Sequence, residues 1–457
     1  MKSASIAPEE TQETPSHIPS CTTALKESSL PEMPLSGPAA AVYILEKLLN
    51  DGAASIESAD RKTAEAALQW TKELDTPWSS PQFTDGDNLV EKLSVAPKLP
   101  QEFLEEMLLL DFDLKRITSL SGIGSELALP CVALTIFHHY SLADVLKTDL
   151  STFTKWCCAI ASAYRSTNPY HNQVHAADVM LTANSYVIAA GIEGKLTTAE
   201  RAYLLIAAII HDVGHPGRMN AYLAQTEPEL ALTYRHAPGL LEAFHAETGL
   251  AITRRSGQNI LEGLTGDEFK VARKTIIDLV LATDLSQGPL ILKEWESKKN
   301  EETGEYMIDL DGNAEDRLLV MKMLLKAADV SNPAKSLGVY RDWTDAIMTE
   351  FYAQGKEEND LGMNITSMPQ CDRSKPALAA GQLGFITFVV KPIFKFLVEY
   401  FPSLDQTVTN LDSNTDFWKA CKGRIDIDES TLCIPSDLPE FVWNSSPSHW
   451  PNAEGGE

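Results

Sequence analysis

Basic residues are scarce in this chain: 38 Lys+Arg stand against 64 Asp+Glu, a net charge of −26 over 457 residues. Nucleic-acid backbones are bound through stripes of Lys and Arg, so this balance argues against nucleic acid as a partner. The same deficit argues against attachment to anionic lipid. The seven cysteines include no C-x-x-C pair, and Cys157 and Cys158 are neighbours. That odd count fits reduced thiols and a cytoplasmic location rather than a disulfide framework. No membrane span is expected. The nearest candidate, Phe385 to Phe401, is interrupted by Lys391, Pro392, Lys395 and Glu399 and reads as a buried, proline-kinked helix. The N-terminus, MKSASIAPEETQ, lacks the apolar stretch of a secretory signal, and no internal repeat is visible.

The composition that is present, 44% hydrophobic and 22% charged, can bury a sizeable core. Residues 1–40 are dominated by Ser, Thr, Pro and Glu and are expected to be disordered. Short helices over Ala40–Leu49 and Ala64–Leu74, with a turn-rich connector from Thr76 to Asn88, make residues 41–94 a linker region. From 95 to about 425 helical periodicity dominates, which predicts an all-α fold of one large domain, followed by a C-terminal tail over 426–457. Ala202–Ile210 is apolar all round, as befits a central helix, while Glu315–Ala328 and Tyr340–Gln354 have amphipathic spacing.

Four of the ten histidines fall in two similar pairs, His171 with His175 and His211 with His215. A spacing of four puts each pair on one face of a helix or helix end. A single such pair is usually structural. Two of them, the second reading His211-Asp212-Val213-Gly214-His215 directly after an apolar helix, point to chemistry. Mixed imidazole and carboxylate donors suit zinc, and a bridging carboxylate suits a second, harder ion. His138-His139 reads as packed or surface, and Asp309-Leu310-Asp311-Gly312 as a turn, since it lacks the spacing of a calcium loop.

The segments Tyr170–Ala176 and His211–Gly217 resemble the H-N-x-x-H-A and H-D-x-x-H-x-G elements of the class I 3′,5′-cyclic nucleotide phosphodiesterases, within the HD superfamily. The resemblance continues in order through Glu229–Tyr234, Leu240–Glu242, Ile277–Ser286, Ala327–Pro333, Tyr340–Asp345 and Gln382–Ile386. It implies that His175, His211, Asp212 and Asp329 hold a tight metal, Zn2+. Asp212 would bridge to Mg2+ or Mn2+, with His215, Glu242 and Thr283 holding that ion's waters. It further implies hydrolysis of a cyclic nucleotide to the 5′-monophosphate by a metal-bridging hydroxide, with His171 protonating the O3′ leaving group.

Substrate contacts implied by the resemblance are Tyr170, Asn332, Tyr340, Ile347, Gln382 and Phe385. Gln382 would read the purine edge, and Phe385 and Ile347 would clamp it. Asn332 within Ser331-Asn332-Pro333, and Tyr340 with Trp343-Thr344, resemble the cAMP-preferring branches, with dual cAMP and cGMP specificity as the alternative. Asn172 is expected to serve local structure. Asp360, two residues before Gly362, is expected to support the general-acid histidine, and Asn364–Asp372 is longer than the family pattern. Competing readings are another HD-type nucleotide phosphohydrolase or a non-catalytic cyclic-nucleotide-binding scaffold. A homodimer is compatible with the sequence.

Overall fold

The structure is a computed structural model that describes residues 86–226, 233–234, 239–363, 372, 377–422, 426–428 and 431–433, the last two segments as backbone only. The chain divides into two units, Met1–Pro77 and Trp78–Glu457, and the described residues all belong to the second. The expected disordered segment, the two early helices, Asn364–Asp372 apart from Asp372 itself, and the tail beyond 433 lie outside the described residues.

Thirteen described helices of eight or more residues build the body: α1 (Asp87–Val95), α2 (Ala128–His139), α3 (Leu150–Ala163), α4 (Gln173–Ala189), α5 (Thr198–Ile210), α6 (Leu240–Thr253), α7 (Gly266–Leu281), α8 (Gly288–Ser297), α9 (Ala314–Asp329), α10 (Leu337–Asp360), α11 (Leu378–Phe385), α12 (Lys391–Tyr400) and α13 (Asp405–Cys421). The described strands are one short antiparallel hairpin, with Asp426 opposite Cys433 and Asp428 opposite Thr431, where a tail was expected. The packed body starts ahead of Val95. Gly86, at φ +74°, lets the backbone approach α3 so closely that a Cβ would sit 2.5 Å from the Cys158 carbonyl carbon.

The core forms around α4, which packs against α2, α5 and α9 and is buried from His175 to Val187. Every residue from Ala202 to Ile210 on α5 is buried as well, as its all-round apolar sequence requires. Local signals set the helix starts. Thr197 and Glu200 form a capping box at α5, and the Asn313 side chain accepts from Glu315 and Asp316 N–H at α9. The consequence for function is placement: the first turn of α4 and the C-terminal ends of α5 and α9 each carry a residue of the two histidine motifs or Asp329.

The apolar C-terminal stretch differs from the expectation. The sequence reading counted from Phe385, but helical structure runs unbroken from Leu378 to Tyr400, and this span is long and apolar enough to cross a membrane by length and composition alone. A π turn at Ile386–Val390, just before Pro392, joins its two α-helical halves. Its inward face, Ile386, Val390, Ile393, Phe394 and Leu397, is part of the core.

Candidate active site

Asn172 begins the construction. Its Oδ1 accepts from the backbone N–H of Val174 (2.8 Å) and His175 (3.4 Å), capping α4, while its Nδ2 donates to the carbonyls of Asn168 and Pro169. The cap turns His175 into the interior, where its side chain is almost wholly buried. His211 closes α5, and its Nδ1–H donates to the Ala208 carbonyl at 2.8 Å. A carbonyl can only accept, so that bond leaves the Nε2 lone pair aimed into the cavity, with no hydrogen-bond partner. Asp329 is the last residue of α9, where the helix dipole disfavours an anion.

These residues converge. His211 Nε2 lies 3.2 Å from Asp212 Oδ2 and 3.3 Å from Asp329 Oδ1; His175 Nε2 lies 3.6 and 3.3 Å from the same two atoms. Ligand atoms around a cation with bonds of about 2.1 Å sit roughly 3.0 to 3.4 Å apart, so the donor set has the dimensions of a metal site. Burial would raise both carboxylates, but the neighbouring imidazoles, His211 first for Asp212, hold them ionised well below the usual range. Conversely, burial would lower His211, and Asp212 and Asp329 outweigh it. Its Nε2 therefore takes either a proton or a cation, and the two compete.

His245, on α6, extends the cluster and was not anticipated. Its Nδ1–H donates to the Val213 carbonyl (2.8 Å), and burial lowers its pKa to about 4, so Nε2 is unprotonated. That lone pair faces Asp212 Oδ1 at 3.6 Å. Two acceptors opposed without a proton between them fit a second cation or its water beside Asp212. His215, Glu242 and Thr283, expected in this region, line the same cavity of about 350 Å3 as Asp212 and Asp329. Burial, aided by Asp284 and Asp212, raises the Glu242 carboxyl to about 7. Lys326 sits behind Thr283, its Nζ donating to the carbonyls of Ala282, Thr283 and Asp284.

His171 stands at the cavity wall with its ring stacked on that of His215, centroids 3.8 Å apart. Its Nδ1–H donates to Glu350 Oε2 at 2.5 Å, and the backbone N–H groups of Tyr170 and His171 both donate to Glu350 Oε1 at 2.8 Å. Burial would lower the imidazole, but the Glu350 carboxylate overrides it and holds the pKa at about 9. His215 is pushed well down, by burial and by the charge on His171, and stays neutral. The expectation that Asp360 supports His171 is corrected by this arrangement. Asp360 ends α10 as an exposed residue paired with Lys356 at 2.5 Å. Glu350 lies ten residues earlier on that helix, about 15 Å along the axis and on a different face.

Of the six residues expected to contact substrate, Tyr170, Ile347 and Phe385 line the cavity. Asn332, Tyr340 and Gln382 are buried and are not among its lining residues, Gln382 standing one turn before Phe385 on α11. Tyr170 donates from its hydroxyl to Asn332 Oδ1 at 2.6 Å. Trp418 Nε1–H donates to the Tyr340 hydroxyl (3.0 Å), which donates to Gln382 Oε1 (2.6 Å). The relay fixes which end of the Gln382 amide is oxygen. Elsewhere, His138 and His139 are surface residues, and Asp309 Oδ1 accepts from the Asp311 and Gly312 N–H groups, forming the expected turn.

Comparison with known proteins follows the same lines. The 3′5′-cyclic nucleotide phosphodiesterase family profile matches residues 170–411, more than half of the chain. A 3′,5′-cyclic-AMP phosphodiesterase, isoform F, of Drosophila melanogaster is 33% identical over 310 residues, covering 67% of this chain and 46% of the relative. The chain thus spans less than half the length of that relative. The crystal structure of the phosphodiesterase domain of the RhoPDE fusion protein from the choanoflagellate Salpingoeca rosetta superposes with a TM-score of 0.60 at 31% identity, over 67% of this chain and 98% of that one. LmjPDEB1 in complex with IBMX gives 0.63 at 28% identity, over 71% and 98%. With its histidine pairs, Asp329 and the helical frame that joins them, this chain belongs to the 3′,5′-cyclic nucleotide phosphodiesterase family.

Proposed function

We propose that the chain hydrolyses the 3′,5′-cyclic phosphodiester of a nucleotide to the 5′-monophosphate, preferring cAMP. The observation that carries this reading is a single cavity joining a metal-sized donor set, Asp212 and Asp329 among it, to a proton donor, His171, and an apolar wall formed by Ile347 and Phe385. His175, His211, Asp212 and Asp329 would hold a tight ion, Zn2+, and Asp212 with His245, His215, Glu242 and Thr283 would surround a second, Mg2+ or Mn2+. When bound, the pair supplies Lewis-acid charge for the phosphate oxygens and an activated water at neutral pH.

The chain's own residues supply the rest. His171, kept protonated by Glu350, gives its proton to O3′ as the P–O3′ bond breaks, so the alkoxide never has to leave unprotonated. Tyr170, held by Asn332, walls the cavity beside it. Phe385 and Ile347 hold the purine ring, and Gln382 reads its edge. A 6-amino purine donates where a 6-oxo purine accepts, so an amide locked by Tyr340 and Trp418 discriminates between them. The name of the Drosophila relatives, cyclic-AMP phosphodiesterase, supports adenine as the preferred base. A cytoplasmic location is part of the proposal; Cys131, Cys157 and Cys158 are buried thiols. The test is hydrolysis of cAMP and cGMP side by side by purified protein, with and without a chelator. Turnover unaffected by exhaustive chelation, or absent for both nucleotides, would overturn the proposal.

A further inference from the structure

The motif that begins at Tyr170 and the motif that ends at Gly217 are far apart in sequence, yet His171 and His215 stack ring on ring. Their backbones are joined by one side chain. Asn168 Nδ2 donates to the His171 carbonyl at 2.9 Å and to the His215 carbonyl at 2.8 Å, using both of its protons. Asn168 and its bond to the His215 carbonyl are buried, so bulk water is no ready substitute there. The other side of the amide is closed by Gly217, at φ +73°. A Cβ there would stand 2.8 Å from Asn168 Oδ1, and no L side chain adopts that backbone without strain. Asn168 is itself pinned, because its backbone carbonyl accepts from Asn172 Nδ2 at the cap of α4.

We infer that Asn168 is a positioning residue for the proton donor: its amide staples the two histidine loops and so holds the His171 ring on His215 and against Glu350. It touches no reacting atom. Glu350 alone cannot do this, because its bonds reach only Tyr170 and His171. The His215 loop is tied to the same helix through Arg218 with Glu357 and Met219 with Gln354, and Asn168 is the side chain that bonds both histidine backbones directly. A carboxamide is required rather than any polar group. Both carbonyls accept, and only an NH2 offers two donors from one atom at this distance. The staple lies just outside the residues matched by the family profile, which start at Tyr170. The inference rests on the proposed role of His171.

Asn168→Asp is the sharpest test, because it keeps the shape and removes both donors. Two substrates separate positioning from general damage: cAMP, whose O3′ needs a proton to leave, and the analogue with sulfur in place of O3′, whose thiolate leaves without one. Metal content and melting temperature are measured alongside, using the full chain. The expected result is a kcat for cAMP reduced by about 30-fold or more, a KM within about threefold of wild type, and a loss on the sulfur analogue at least tenfold smaller. Gly217→Ala, which keeps the amide but crowds it, should show the same selective loss and serves if the Asp variant does not fold. Equal losses on the two substrates, or none on either, overturn the staple. A wild-type protein inactive on cAMP instead overturns the proposed function, so the two failures are distinguishable.

Discussion

Replacing Glu350 by Gln removes one negative charge 2.5 Å from His171 Nδ1 and little else. The amide Oε1 can still accept from the backbone N–H groups of Tyr170 and His171. In the wild type the imidazole titrates at about 9, against an ordinary 6.5. That rise of about 2.5 pH units corresponds to roughly 3 kcal/mol favouring the protonated ring. Without the carboxylate, burial is opposed only by the charges of Asp212 and Asp329, and the pKa falls from about 9 back towards the ordinary 6.5. With a pKa of about 6.5 the protonated fraction at pH 7.5 is about 9%, against about 97% in the wild type, so turnover should drop about tenfold. The loss should shrink towards pH 6, where the ring is protonated again. In a pH–rate profile the alkaline limb moves from near 9 towards 6.5. Stability follows the same sign. A folded-state pKa above the unfolded value stabilises fully below about pH 6.5, and the contribution disappears as pH rises through 9. Denaturant unfolding of wild type and variant should therefore differ most at low pH. An alkaline limb that stays near 9 in Glu350→Gln would refute the argument.

Asp329→Ala removes a carboxylate facing both His175 and His211, and it should abolish the tight metal together with turnover; elemental analysis and a hydrolysis assay check both, and retained metal would remove Asp329 from the ligand set. Tyr340→Phe breaks the bond that orients Gln382, worth about 1 kcal/mol, so the ratio of kcat/KM for cAMP over cGMP should narrow about five- to tenfold. Asp360→Asn should leave turnover and its pH profile within twofold of wild type, because this residue is exposed and, among the described residues, pairs with Lys356.

The all-helical class was legible because hydrophobic spacing is local, and Ala202–Ile210 could be read as central from composition alone. The donor residues were legible for a different reason. Histidines and carboxylates in a repeated motif are rare enough to be conspicuous, and the resemblance supplied Asp329. The support for His171 was misassigned because distance in sequence does not show which face of a 24-residue helix is buried. Ten residues separate Glu350 from Asp360, yet one meets the cavity and the other meets solvent. A signal existed: Glu350 follows Ile347 and Met348 within a partly apolar stretch, where an unpaired carboxylate would be costly. His245 carried a similar one, an imidazole among the apolar residues of α6.

By itself the sequence determined which functional groups are available and how they pair at helical spacing. These follow from residue type and local periodicity. Tertiary structure alone decided that Glu350 holds His171 in its protonated form, that Asn168 joins its loop to that of His215, and that Trp418 orients Gln382 through Tyr340. Each of these depends on a contact between distant segments, set by how the helices pack, and one-dimensional spacing carries no record of which faces meet.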